Sequence, residues 1–179
     1  SPPNNANGTP DIAFANPPAA GTTTIQIADV TGYSELFLQA TRDITVASAI
    51  TMAVNNSIRL EANNNISVNA AVAVSGTGSI NLKADADNSG AGNLAIGANI
   101  TSQVGGITIS GATVTRTAGN IAASGAANSN AGNINISATN TVNLGAATVT
   151  ANGGTASAGN AGRNSGAISI SGNGVAMTG

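Results

Sequence analysis

The strongest constraint on the fold is a short pattern that recurs at a constant interval between residues 36 and 85. Its first apolar triplet begins at Leu36, Ile58 and Ile80, so successive copies start 22 residues apart. A second triplet begins at Ile44 and Ile66, and a third follows six residues later. Apolar residues that alternate with polar ones predict β-strands, and a fixed period predicts stacked repeats. The pattern therefore predicts three short strands in each repeat.

The same unit continues beyond residue 85 with longer connections. Later first triplets begin at Ile107, Ile134 and Ile168, at intervals of 27, 27 and 34 residues. The added residues form loops rich in Gly, Asn, Ala and Ser, which we place at 85–93, 122–132 and 151–166. Repeat architectures accept such insertions at their corners. The second strand of the fourth repeat, near 113–115, is the least distinct.

When the first triplets are aligned, chemically similar residues fall at the same position of each repeat. Two columns are wholly aliphatic and are predicted to face inward: Leu36, Ile58, Ile80, Ile107, Ile134 and Ile168, and Leu38, Leu60, Leu82, Ile109, Ile136 and Ile170. The columns between them are mostly polar and face outward. One outward column sets Glu61 beside Lys83, and we expect this pair to be exposed and worth less than about 1 kcal/mol.

Together these patterns predict an all-β fold, a single-stranded parallel β-helix (β-solenoid) with three-strand coils of about 22 residues and corner insertions. A flat antiparallel sandwich would not give identical columns at a 22-residue shift. The helix is assigned to residues 35–179. Residues 1–34 hold all five prolines of the chain, which do not donate to a strand ladder. This segment is therefore an arm, a cap, an irregular first coil, or a leader with one docked strand.

The charge and composition exclude several classes of partner. A net charge of −2 with five scattered basic residues argues against nucleic acid, whose phosphates require a clustered positive surface. No apolar run reaches the roughly 20 residues of a membrane span, so we expect no membrane insertion. The absence of cysteine suits a cytosolic protein or a bacterial exported one.

The chain offers little catalytic chemistry. With no His and no Cys, neither a Ser/His/Asp nor a Cys/His constellation can form, and we predict that the protein is not an enzyme and uses no cofactor. Asp85, Asp87 and Asn88 resemble the start of a calcium loop. The twelfth position of that loop is Ile96 rather than Glu, so an ordinary corner insertion is the competing interpretation.

Several Asn residues fit the acceptor pattern for N-glycosylation. Within the repeats they are Asn55, Asn65, Asn99 and Asn135, and Asn7 lies in the proline-rich segment. In so Asn-rich a chain, chance matches are the alternative explanation.

The repeats resemble those of filamentous-haemagglutinin-type exoproteins from Gram-negative two-partner secretion systems. The segments that carry the resemblance are SELFLQATRDITVASAI (34–50), SIRLEANNNISVNAAV (57–72) and residues 75–106, and it extends over roughly 35–179. It implies a right-handed parallel β-helix that is secreted or displayed at the cell surface. It also implies adhesion to host cells, matrix glycans or proteins, or biofilm polysaccharide. The secretion motif of that family is not visible, since Asn16-Pro17-Pro18 matches it poorly, and we expect a segment of a longer rod.

Two other functions compete with adhesion. The coils of a β-helix could stack end to end on neighbouring chains and build an extracellular fibre or sheath. The threonine pairs at 22–24, 113–115 and 148–150 could instead present hydroxyls to ice or to a glycan, although the Thr column is mixed from repeat to repeat.

Overall fold

A computed structural model describes residues 11–12, 33–157 and 163–177. Within these residues the regular structure is entirely β, with no helix. The strands are β1 (Asp11–Ile12), β2 (Glu35–Ala40), β3 (Ile44–Val46), β4 (Ile50–Thr51), β5 (Ser57–Ala62), β6 (Ile66–Val68), β7 (Val72–Ala73), β8 (Ile80–Lys83), β9 (Asn93–Ile96), β10 (Ile100–Ser102), β11 (Ile107–Arg116), β12 (Ile121–Ala123), β13 (Ile134–Asn143), β14 (Val149–Thr150), β15 (Ile168–Ser171) and β16 (Gly174–Ala176).

Strands from successive repeats pair in parallel and form three stacks. The first stack contains β1, β2, β5, β8, β11, β13 and β15, and the second contains β3, β6, β9, β11, β13 and β16. The third is a separate sheet in the order β14, β12, β10, β7, β4. Strands β11 and β13 belong to two stacks because each continues through the first corner, where their pairing shifts between Gly111 and Thr113. The prediction of an all-β fold with parallel strands is confirmed.

The register of the first stack agrees with the predicted columns. Ile58 lies opposite Leu36 and Ile80, and the column continues through Ile107 and Ile134 to Ile168. From Leu36 to Ile134 these side chains are buried, but Ile168 is 44% exposed. The reason is that β15 has β13 as its one strand partner in the described chain, so its other side is uncovered.

The core is thin and almost wholly aliphatic. Its largest fully buried side chains include Leu60, Ile66, Leu82, Ile96 and Ile109. Burying each contributes roughly 1.5–3 kcal/mol. Small residues occupy the first corner, where Ala62 and Ala84 are buried. These small residues are what lets each repeat bend closely against the next.

A second column of small residues consists of glycines two positions before the first strand of each later repeat. These are Gly78, Gly105, Gly132 and Gly166. A Cβ at Gly105 would lie 1.9 Å from the carbonyl oxygen of Gly78, and one at Gly132 would lie 2.2 Å from the oxygen of Gly105. Glycine is needed here because successive backbones approach too closely for any side chain.

Two connections differ from the predictions. The loop expected at 122–132 begins later, because Ile121, Ala122 and Ala123 form β12 and pair with both β10 and β14. The loop expected at 151–166 is described only in part, since residues 158–162 lie outside the described chain. Most of the proline-rich segment 1–34 also lies outside it. In the described part of that segment, β1 pairs in parallel with β2.

Candidate functional site

A cluster of long polar side chains covers the outer face of strands β2, β5 and β8. Glu61 Oε1 accepts a 2.8 Å hydrogen bond from Arg59 Nε, and Oε2 accepts a 2.9 Å bond from Gln39 Nε2. The Arg59 guanidinium also lies 4.5 Å from the ring centroid of Phe37. The predicted register of Glu61 with Lys83 is confirmed, but the expectation of an exposed pair was wrong. Glu61 is only 9% exposed, and its ion-pair partner is Arg59.

The environment of Glu61 keeps its carboxylate ionised. Burial raises the pKa, but the hydrogen bonds from Gln39 and Arg59, together with the positive charges of Arg59 and Lys83, outweigh it and lower the pKa. Both carboxylate oxygens are already occupied by neighbouring side chains. The cluster therefore joins strands β2 and β5 through the two oxygens of one carboxylate.

The corner insertion after β8 contains the three residues of the possible calcium loop. Asp85 is 5% exposed, and its Oδ1 accepts bonds from Ser89 Oγ at 3.0 Å and Gly90 N at 2.9 Å. Asp87 Oδ1 accepts a 3.3 Å bond from Ser89 N. Asp85 and Asn88 both adopt left-handed backbone angles, with φ values of 56°. The carboxylates thus stabilise a tight turn, as the corner-insertion interpretation requires.

The geometry of this turn also bears on calcium binding. Ca²⁺ takes six to eight oxygen ligands, usually from several carboxylates. In the described part of the chain no three acidic, His or Cys residues gather closely enough to hold a metal ion. A calcium site at Asp85, Asp87 and Asn88 stays a prediction.

A groove of about 200 Å³ lies beside this insertion and crosses three repeats. It exists because the third repeat turns outward after β8, whereas β11 and β13 continue through the same corner without a loop. Buried Ala84 and Gly111 lie at its base. Its polar lining consists of Lys83, Asp85, Asn88, Ser110, Ser137 and Thr139.

Polar side chains at the other corners form ladders between repeats. Asp43 Oδ1 accepts 2.9 Å bonds from the side-chain amides of Asn64 and Asn65, and Asn65 Oδ1 accepts a 3.0 Å bond from Asn93 N. Similar bonds run from Thr77 N to Asn55 Oδ1 and from Asn120 N to Asn99 Oδ1. These side chains satisfy corner backbone groups that the strands leave unpaired.

The hydrogen bonds of the ladders distinguish the four possible glycosylation residues of the repeats from one another. Asn65 uses its amide nitrogen, the atom that would carry a glycan, in the bond to Asp43. Asn55 and Asn99 use their oxygens. Asn135 is exposed on β13 and makes no side-chain hydrogen bond to another described residue. Glycosylation itself stays a prediction, and Asn7 lies outside the described residues.

The threonine pairs do not form a regular surface. Thr113 lies in register with Asn93 and Thr141, and Thr115 with Ala95 and Asn143. The pair at 22–24 lies outside the described residues. The described columns are mixed in composition, so they give no support to an ice-binding face.

Sequence reasoning missed two features of this surface. The glycine column is visible in the sequence as a Gly two residues before Ile80, Ile107, Ile134 and Ile168. The pattern of apolar residues does not reveal this column, because glycine has no side chain to contribute to the pattern. The signal for the Arg59–Glu61 pair is the i,i+2 spacing of two opposite charges, which places both side chains on the same face of a strand.

Exposed apolar side chains gather at the last described repeat. Besides Ile168, they are Val175 and Met177, which are 49% and 52% exposed. Among the described residues there is no helix long and apolar enough to cross a membrane.

No family model, no curated protein and no solved structure matches the chain. The function of the chain is therefore inferred from its fold and from the surface features described above.

Proposed function

We propose that the chain is a segment of an adhesive rod, a right-handed single-stranded parallel β-helix that presents polar loops and faces to a solid or cellular surface. In this proposal it belongs to an exoprotein that is secreted or displayed at the surface of a Gram-negative bacterium. Its partners are host-cell or matrix glycans and proteins, or biofilm polysaccharide.

One observation carries the proposal: six successive first strands, from β2 to β15, stack in parallel and in register. Each added repeat advances the stack by about 4.8 Å, the spacing of paired strands. Such a fold grows in one direction without needing a larger core. A scaffold of this kind suits an extended structural role better than catalysis.

The right-handed assignment is supported by the connections. In the first three repeats each first strand reaches the next through two further strands, whereas β11 and β13 each reach the next through one, so every link is a parallel crossover. Crossovers of this kind are overwhelmingly right-handed in proteins because strands have a right-handed twist. The resemblance of the repeats to filamentous-haemagglutinin-type exoproteins favours the same handedness and supports export.

Adhesion by this surface would depend on many weak polar contacts. The outward columns carry Asn, Ser and Thr, which exchange hydrogen bonds with hydroxyl-rich ligands. Aromatic anchors, which dominate tight interfaces, are scarce at 2% of the chain. Many copies displayed together would supply the avidity that one copy lacks.

Beads coated with the folded chain test the proposal directly. We expect them to be retained by epithelial cells, by a matrix-protein film or by a polysaccharide film. Beads coated with the heat-unfolded chain and with an unrelated acidic protein are the controls. Equal retention of all three kinds of bead would refute adhesion. A crystal structure with a left-handed path or unpaired repeats would refute the β-helix.

A second function is assembly into an extracellular fibre, in which Ile168, Val175 and Met177 of the last described repeat would contact a neighbouring chain. In a filament these side chains would be covered by a β-coil of the next chain, as strand addition to an open sheet allows. Sedimentation of the chain over a range of concentrations and electron microscopy test this function. Filaments that disappear in the Val175→Lys variant support it, and a concentration-independent monomer contradicts it.

A further inference from the structure

We propose that the groove beside the corner insertion binds a short stretch of a neutral polysaccharide. The inference rests on the proposed adhesive function, since it names the ligand class and the place on the rod where that ligand is held. Its support comes from the charge, the hydrogen-bonding groups and the shape of the groove.

The charges of the groove cancel. Among the described residues, Lys83 and Asp85 are the titratable groups that line it, and they carry opposite signs. Lys83 also stands in register with Glu61, which further offsets its positive charge. A polyanion such as heparin or a polyuronate therefore gains no net attraction here. Neutral hydroxyl-bearing chains meet no electrostatic penalty.

Asp85 supplies an acceptor that the protein leaves open. Both bonds that the Asp85 side chain accepts from described residues, from Ser89 and Gly90, go to Oδ1. Its Oδ2 receives no hydrogen bond from any other described residue. A polar atom in so buried a side chain requires a hydrogen-bond partner. A sugar hydroxyl in the groove can donate to Oδ2.

The remaining polar groups complete the match to a saccharide. The Lys83 ammonium donates hydrogen bonds, and the hydroxyls of Ser110, Ser137 and Thr139 both donate and accept them. Adjacent hydroxyls on a sugar ring need such alternating donors and acceptors. The lining thus satisfies several hydroxyls of one sugar unit at once.

The shape of the groove suits a linear chain. Ser110 lies in register with Lys83 on one side and Ser137 on the other, so polar side chains recur every 4.8 Å or so along the stack. Ala84 and Gly111 at the base leave room for a ring. A polysaccharide lying parallel to the stacking axis therefore meets all three repeats. No aromatic side chain of the described residues lines the groove, so a single copy binds weakly.

The test is a set of NMR titrations of the ¹⁵N-labelled full chain. The ligands are neutral hexasaccharides of α-glucan, β-glucan and mannan type, acidic hexasaccharides of heparin and polyguluronate, and Ca²⁺ alone. We expect at least one neutral hexasaccharide to shift the backbone signals of Asn88, Ser110, Ser137 and Thr139. The acidic oligosaccharides and Ca²⁺ should leave these signals in place.

The S110V/S137V double variant removes two hydroxyls and fills the groove with methyl groups that a strand accepts well. We expect it to raise the Kd of the neutral ligand about tenfold or more, as the loss of two hydrogen bonds implies. Thr108→Val is the matched control, because Thr108 is exposed on the same strand two residues before Ser110 and does not line the groove. If the double variant does not fold, Lys83→Gln serves in its place.

Any of these results would overturn the inference: no shift with any neutral hexasaccharide, shifts confined to other parts of the chain, or equal effects of S110V/S137V and T108V. A groove filled by Ca²⁺ or by acidic sugars only would also overturn it. Bead adhesion separates this failure from that of the adhesive function. Beads that adhere equally well with S110V/S137V leave the adhesive rod standing and remove the groove from it.

Discussion

Glu61 Oε2 accepts a 2.9 Å hydrogen bond from Gln39 Nε2, which joins two residues that are 22 positions apart and directly opposite in register. The bond connects the first two repeats across the outer face of the sheet. This bond shows that specific side-chain contacts between repeats, as well as the alternation of polar and apolar residues, order the outer face. The same carboxylate also binds Arg59.

We predict that Glu61→Gln destabilises the protein by about 1 kcal/mol at pH 7, since it weakens charge-assisted bonds. The lowered pKa of Glu61 means that the unfolded chain binds the proton more readily than the folded one. The stabilisation is therefore complete above the ordinary glutamate pKa of about 4.3 and is lost as the pH falls through the lower folded value. Urea unfolding at pH 7 and pH 3 measures the difference. A loss of the same size at both pH values would contradict this assignment.

The glycine column makes a second prediction. Gly105→Ala should destabilise the protein by about 1–3 kcal/mol or more, because the new Cβ would meet the backbone carbonyl of Gly78, which has little room to move. Gly174→Ala is the control, since its Cβ would meet only Thr141 Cγ2 at an ordinary 3.4 Å. Thermal unfolding of the two variants compares them. Equal melting temperatures would mean that the repeats can separate at this corner without cost.

The aliphatic core gives a third prediction. Leu60→Ala should cost about 2–5 kcal/mol, because Leu60 is fully buried in the middle of the stack and its removal leaves a cavity. Val54→Ala removes apolar carbon from a side chain that is 65% exposed and should change the stability by less than about 0.5 kcal/mol. Denaturant unfolding followed by circular dichroism measures both. A small effect of Leu60→Ala would show that the interior collapses around the missing side chain.

The corner ladders give a fourth prediction. Asn65→Ala removes bonds to Asp43 and to the backbone of Asn93 and should cost about 0.5–1.5 kcal/mol. Asn135→Ala should be nearly neutral, since Asn135 is exposed and makes no side-chain hydrogen bond to another described residue. Hydrogen exchange at the amide of Asn93 adds a local measurement. Unchanged protection of that amide in Asn65→Ala would show that water replaces the side chain fully.

The sequence predicts the stacked parallel strands because their signal is redundant. Each of Leu36, Ile58 and Ile80 repeats the same apolar position, and a one-residue slip would turn the whole column outward. The three strands of the first repeats and their register could both be derived this way. The continuous course of β11 could not, because whether a strand bends or continues at Gly111 depends on its neighbours rather than on its own residues.

The surface was less predictable than the core. The burial of Glu61 depends on how Gln39 and Arg59 close over it, and side-chain alternation carries no information on that. The groove was also invisible in the sequence, since it arises from a loop in one repeat and the lack of that loop in the next two. Asp85 is visible in the sequence as a carboxylate in a loop. Two other residues that line the groove, Ser110 and Ser137, belong to the next two repeats, where they stand in register with Lys83 and lie 27 and 54 residues after it.

The corner ladders also give the stack a direction. At Asp43, Asn55, Asn65, Asn99 and Asn133, a side-chain oxygen of the earlier repeat accepts a backbone N–H from the later one. In the described chain one bond has the opposite sense, from Gly76 N to Gln103 Oε1. A repeat that has already folded thus holds its acceptors in place before the next one arrives. At these five corners the two faces of a repeat are chemically unlike, because extension toward the C-terminus meets prearranged side-chain acceptors whereas extension toward the N-terminus must bring its own.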